Sequence, residues 1–77
     1  MAKLNPQGKL GRPLFKHKEI VSFMIKDEIK TGYVFVVDSY GTFEQNVEPS
    51  YDILVEEENT LYKHIPESWT LEKENNH

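Results

Sequence analysis

Seventy-seven residues with a net charge of −4 and no cysteine make one domain at most, with no disulfide framework and no thiolate zinc site. No apolar run approaches the ~20 residues of a membrane-spanning helix. Residues 4–14 are too broken by Asn5, Pro6, Gly8, Lys9 and Arg12 to form the apolar region of a signal peptide, so a cytoplasmic protein without membrane association is expected.

The charge is divided along the chain. Residues 1–18 carry Lys3, Lys9, Arg12, Lys16 and Lys18 and no acid, a charge of +5, while residues 19–77 carry thirteen acids against four lysines, a charge of −9. With Pro6, Gly8 and Gly11 and few apolar residues, 1–18 reads as a flexible basic N-terminal arm. Such an arm either contacts nucleic acid or is solvated beside its own acidic body. Within it Pro13-Leu14-Phe15 reads as a lead-in segment anchored by Phe15.

Residues 19–26 alternate as a strand, with Val21, Phe23 and Ile25 facing inward. Its β-branched residues favour a strand over a helix. Asp27 to Thr31 reads as a short polar turn, and Gly32 as a bend or bulge. Residues 32–38, Gly-Tyr-Val-Phe-Val-Val-Asp, carry the strongest strand signal. Val34 and Val36 are expected inside, leaving Tyr33, Phe35 and Val37 on an apolar outer face, although a slip of one residue would reverse this.

Residues 39–50 form the longest connection, interrupted by Gly41 and Pro49 yet carrying Tyr40, Phe43 and Val47. Phe43 is expected to plug one end of the core, whereas Tyr40 reads equally as a core or a ligand contact. Residues 51–56 are a third strand with Tyr51, Ile53 and Val55 on one face. Glu56-Glu57-Glu58-Asn59 is an acidic hairpin tip, with Asn59 suited to left-handed backbone. Residues 60–64 form a short fourth strand with Leu61 inward. Ile65-Pro66-Glu67-Ser68 makes one helical turn, with Pro66 at its first position. Trp69-Thr70-Leu71 is a fifth short strand, and 73–77 a disordered tail.

Five short strands with one helical turn before the last resemble an SH3-like barrel over 19–72. The local likeness is sharpest at Ile65-Pro66-Glu67-Ser68-Trp69-Thr70, which resembles the SH3 segment where an apolar residue and Pro begin the turn and an aromatic follows three residues after the Pro. The resemblance implies an all-β, five-stranded small barrel in which Pro66 and Trp69 line a ligand groove. The family's Ala-Leu-Tyr-Asp-Tyr segment and its paired tryptophans have no counterpart here. Tyr51-Asp52-Ile53 and Leu61-Tyr62-Lys63-His64-Ile65-Pro66-Glu67-Ser68 also resemble small uncharacterised proteins of Gram-positive bacteria and their phages.

Chemistry is sparse. His17 lies in the arm and His77 is the last residue, so His64 is the histidine in an ordered stretch. It lacks a His-x-x-x-His or cysteine partner, so zinc ligation is not expected. It could pair across strands with Asp38 or Asp52, and the simpler reading is a histidine satisfied by backbone. Asp38 and Asp52 read as turn caps, in a chain too small to desolvate a catalytic carboxylate pair. No catalytic residue, metal or cofactor is expected, and the protein is read as a non-enzyme. The expected partner is a protein or a second copy, met by an aromatic patch drawn from Tyr33, Phe35, Tyr40, Tyr62, Pro66 and Trp69. The alternative is a nucleic-acid-binding barrel using Lys3, Lys9, Arg12, Lys16 and Lys18. A third reading takes the acidic body as a nucleic-acid mimic.

Overall fold

The computed structural model describes residues 3–73. The alternating segments form one antiparallel sheet of four strands in sequence order: β1 (Ile20–Ile25), β2 (Glu28–Asp38), β3 (Ser50–Val55) and β4 (Thr60–Pro66). Two 3₁₀ turns, Glu56–Glu58 and Glu67–Trp69, are the helical content among the described residues, so the chain is all-β. No helix is long and apolar enough to cross a membrane.

The polar turn expected at 27–31 contracts to two residues. Ile25 pairs with Glu28, and Lys26 (φ 50°) and Asp27 (φ 64°) between them both take left-handed backbone. Such a tight connection matches the right-handed twist of the strands it joins. β2 therefore starts at Glu28 and runs for eleven residues. Gly32 is not a bulge. It is buried, and a Cβ there would meet the backbone oxygen of Leu54 on β3.

The bulge lies at Phe35. Val34 pairs with Ile53 but Val36 pairs with Asp52, so Phe35 is the extra residue and the inward–outward alternation changes phase there. Val34 is fully buried, Val36 is exposed, and Val37 packs against the core. Val36 therefore leaves the inner set, and Val37 leaves the outer one. A second bulge in β4 places Lys63 and His64 opposite Asp52 alone, with His64 at φ 62°. The Asp52 carboxylate caps it, Oδ1 accepting the His64 N–H at 3.0 Å.

The core holds Phe15, Val21, Phe23, Val34, Tyr51, Ile53, Val55 and Ile65, with Ile25, Val37 and Tyr62 packed against it. Phe15 meets Tyr51 edge-on at 5.6 Å, and Phe23 meets Tyr62 at 5.5 Å. Tyr62 is the cross-strand neighbour of buried Ile53, so Tyr62, and not Leu61, joins Ile65 on the inward face of β4. Leu61 belongs to the other face. There the register aligns Ile20, Tyr33, Leu54 and Leu61 in a row across all four strands, with Ile20 exposed and the others half-buried. Phe15 does not cover this row, because it lies in the core on the opposite side.

The fifth strand expected at Trp69–Leu71 is reduced to single bridges. Thr70 bridges Phe23, Leu71 bridges Leu4, and the Leu71 N–H donates to Ser22 O at 2.8 Å. The helical turn starts later than expected: Pro66 ends β4 in extended backbone and caps Glu67–Trp69. At the other hairpin Asn59 takes the expected left-handed conformation (φ 52°), and Glu56, Glu57 and Glu58 are solvated.

The basic arm is hydrogen-bonded along its described length. Asn5 N–H donates to Thr70 O, Gly11 N–H to Ser39 O, and Lys18 N–H to Val34 O, at 2.7–2.8 Å. Burial of Phe15 at its end contributes about 1.5–3 kcal/mol. Of the tail at 73–77, Lys73 pairs with Glu19 and lies 5.4 Å above the Phe15 ring, while 74–77 fall outside the described residues, His77 with them.

Candidate partner-binding groove

The 39–49 connection is held by its own side chains. Gln45 Oε1 accepts the N–H groups of Val47 (2.9 Å) and Glu48 (3.1 Å), and its Nε2 donates to Glu48 O at 3.2 Å. Thr42 Oγ1 accepts the Gln45 N–H at 3.0 Å, while the Thr42 N–H donates to Gln45 O at 2.6 Å. Gly41 begins this loop at φ 75°, a conformation open to a residue without Cβ.

Glu48 then ties the loop to the last 3₁₀ turn. Its side chain is buried, Oε1 accepting Ser68 N–H (2.8 Å) and Gly8 N–H (3.1 Å), and Oε2 accepting Ser68 Oγ–H at 2.8 Å. Pro49 O accepts the Glu67 N–H at 2.9 Å. A buried carboxylate holding three donors is stable where a bare one would not be. It also holds residues 42–45 and 66–69 in one fixed relation.

The product is a groove of about 460 Å³ lined by Phe43, Glu44, Gln45, His64, Pro66 and Trp69, with Thr42 at its edge. Phe43 is fully exposed (102%) and Trp69 is 45% exposed. Phe43 is therefore not a plug of the core. It stands in solvent on a hydrogen-bonded loop, facing the groove it shares with Pro66 and Trp69. Trp69 also borders a second, more apolar groove with Leu4, Met24 and Ile25.

Below the groove lies a second buried carboxylate. Glu67 Oε1 accepts the Tyr51 O–H at 2.5 Å and the Leu14 N–H at 2.9 Å, and the Tyr51 oxygen accepts the N–H groups of Leu14 (3.0 Å) and Phe15 (3.3 Å). Burial, and then the bond to Glu67, push the Tyr51 phenol well above its ordinary range. This network fixes the start of the Glu67–Trp69 turn.

Of the six aromatic-patch residues expected from sequence, the structure brings Pro66 and Trp69 together. Tyr33 and Phe35 lie on the outer face of the sheet. Tyr40 is exposed and stands over Gly11, where a Cβ would meet its phenol ring. Tyr62 packs on Phe23, its hydroxyl donating to Glu58, with Lys30 over its ring at 5.7 Å. Lys30 Nζ also bonds Glu58 (2.5 Å) and Glu28 (3.2 Å). The bond to Glu58 raises the Lys30 pKa, and Lys30 in turn lowers that of Glu58. Thr42, Phe43, Glu44, Gln45 and His64 are the groove residues that sequence reasoning did not assign to a binding surface. The signal for Phe43 was present, an aromatic in a Gly- and Pro-bounded loop, and was read as buried.

The five cations of the arm, Lys3, Lys9, Arg12, Lys16 and Lys18, are all exposed, and none forms an ion pair among the described residues. His17 is likewise exposed.

No protein-family model matches this chain, and no curated protein and no solved structure matches it.

Proposed function

We propose that this protein is a non-catalytic binding module that seats a segment of a partner protein in the Phe43–Pro66–Trp69 groove. The observation that carries the reading is Phe43, an aromatic ring left wholly in solvent on a loop built to be rigid. Large aromatic side chains held in place lose little entropy on binding and dominate interface energetics. The groove's size falls within the usual range for ligand sites. Glu44 on its wall, and the −9 charge of residues 19–77, favour an apolar segment flanked by a basic residue.

The reading includes the finer architecture expected from sequence, a small five-stranded SH3-like barrel whose last strand, at 69–71, closes beside β1. The Leu71 N–H bond to Ser22 O and the Thr70–Phe23 bridge support that closure. The resemblance of Ile65-Pro66-Glu67-Ser68-Trp69-Thr70 to the SH3 segment supports a ligand role for Pro66 and Trp69. The resemblance of Tyr51-Asp52-Ile53 and residues 61–68 to small proteins of Gram-positive bacteria and their phages supports a bacterial or phage setting.

The test is recovery of partners from the native host by wild type, Phe43→Ala and Trp69→Ala. Both side chains are solvent-exposed, so both variants are expected to fold, and both are expected to lose the partner. Full recovery by both variants removes the groove as the site. The alternative, nucleic-acid binding by the arm, is favoured by its five unpaired cations. It predicts single-stranded DNA binding that weakens steeply with salt and is lost when Lys9, Arg12, Lys16 and Lys18 are neutralised together.

A further inference from the structure

We propose a divalent-cation site formed by Asp38, Asp52 and His64, a function beyond the groove reading that shares His64 with the groove wall. One carboxylate oxygen from each aspartate and one ring nitrogen of His64 lie within 4.8 Å of one another. The three residues come from three strands, and the two bulges bring them together. The Phe35 bulge sets Val36, and not Phe35, opposite Asp52, so that Asp38 two residues on shares the Asp52 face. The β4 bulge turns His64 toward the same place, with Nδ1 4.0 Å from Asp52 Oδ1. No short-range motif encodes this set, which is why His64 carried no zinc signal in the sequence.

The local charge is uncompensated. Asp38 is half-buried, and its carboxylate has no hydrogen-bond or ion-pair partner among the described residues. The Asp52 side chain is 13% exposed, and its contacts are the His64 N–H and the His64 ring. Two like-charged side chains with their oxygens within 4.8 Å make a place to which a cation would be drawn.

A second observation points the same way. Ser50 is the cross-strand neighbour of Asp38 and stands two residues before Asp52 on β3, which places all three on one face. Its hydroxyl is buried without any hydrogen-bond partner. It is the one buried side-chain polar atom among the described residues left without a partner, and it belongs to the cross-strand neighbour of Asp38.

One imidazole and two carboxylates are a mixed nitrogen–oxygen set suited to Zn²⁺ and neighbouring first-row cations. Donor atoms around tetrahedral zinc stand about 3.3–3.4 Å apart. Rotation of His64, whose side chain is 61% exposed, brings its 4.0 Å spacing to Asp52 toward that value. Three protein donors leave a further position for water, so the site is of the open kind.

The experiment uses the untagged full chain, titrated with Zn²⁺ by calorimetry and followed by thermal melting, and with Co²⁺ by visible absorption. The controls are Asp38→Asn, whose side chain makes no bond to lose, and His64→Asn, a residue that tolerates the left-handed backbone at this position. Expected is one ion per chain, a melting temperature that rises with Zn²⁺ and returns with chelator, and binding at least about tenfold weaker in each variant. Absence of binding up to millimolar Zn²⁺ overturns the proposal. So does binding of equal strength in both variants, which would place the metal on His17 or another surface group.

Discussion

The Tyr51 hydroxyl and the Glu67 carboxylate, sixteen residues apart, share one buried hydrogen bond of 2.5 Å, and the N–H groups of Leu14 and Phe15 converge on the same pair. Two polar groups that would each be costly to bury satisfy one another and hold the arm to the sheet.

Tyr51→Phe removes the donor to Glu67 and the acceptor for Phe15 N–H while keeping the ring in its place against Phe15. It is expected to cost about 1–3 kcal/mol, because a buried carboxylate and a buried N–H lose their partner. Equilibrium urea unfolding at neutral pH measures this. The same residue sets an alkaline limit. Its pKa is raised on folding, so the folded chain keeps the proton longer than the unfolded one. The stabilisation is complete below the ordinary tyrosine value of 10.0 and is lost as pH climbs from there toward the folded value. Wild type should lose stability more steeply than Tyr51→Phe in that window. Parallel alkaline slopes would show that Tyr51 does not titrate with folding.

Glu48→Ala leaves the Gly8 and Ser68 N–H groups and the Ser68 hydroxyl without their acceptor. A loss of about 2–4 kcal/mol is expected, since bonds to charged groups are stronger than neutral ones and the donors are left partly buried. Glu48→Gln keeps one acceptor oxygen and should recover part of it. The check is chemical denaturation of both variants alongside wild type. Equal stability of Glu48→Ala and wild type would mean that the loop is held by Gln45 alone.

The β1–β2 turn places two non-glycine residues in left-handed backbone. Replacing Lys26-Asp27 by Asn-Gly relieves this strain and is expected to stabilise the chain by about 1 kcal/mol. For a domain this small that corresponds to a rise in Tm of about 4–8 °C. A thermal melt decides it, and a lower Tm would be inconsistent with the two-residue turn.

Gly32→Ala should be severe. The added methyl meets the Leu54 carbonyl oxygen, and backbone does not move aside as the end of a side chain can. A loss of about 1–3 kcal/mol, the range for overpacking, is the least expected. Gly41→Ala is a harder case, combining a clash with Gln45 O and a φ of 75°. Expression level and denaturation midpoint report both.

The strands were legible in the sequence wherever one face is buried. Val21 and Phe23 alternate cleanly, as do Tyr51, Ile53 and Val55, and both sets face the core. Reading stopped at the points where alternation breaks phase. Tyr33 to Val37 are apolar on every position, so nothing local locates an extra residue at Phe35, and the inward set slips from Val36 to Val37. Leu61 and Tyr62 are apolar neighbours, and only pairing with Ile53 decides which is inside. Two of the groove residues were legible, Pro66 and Trp69, through a local pattern around the Glu67–Trp69 turn. Phe43 was not, because a loop's direction depends on Gln45 and Glu48 finding their partners. Asp38, Asp52 and His64 were legible as possible pairs across strands, and the two bulges in separate strands bring all three together.

One feature of the arm bears on how the chain is made. Leu4 bridges Leu71, Asn5 bonds Thr70, and Gly8 and Leu14 reach forward forty and fifty-three residues to Glu48 and Glu67. Contacts between such distant positions form slowly, since the loop must close before anything is gained. The arm leaves a ribosome before the strands it joins and would thus be among the last parts to find its place, and a nascent chain stopped short of residue 67 would lack the carboxylate that holds Leu14 and the Tyr51 hydroxyl. Completion of the Glu67–Trp69 turn, rather than emergence of the strands, would then set when the arm can dock.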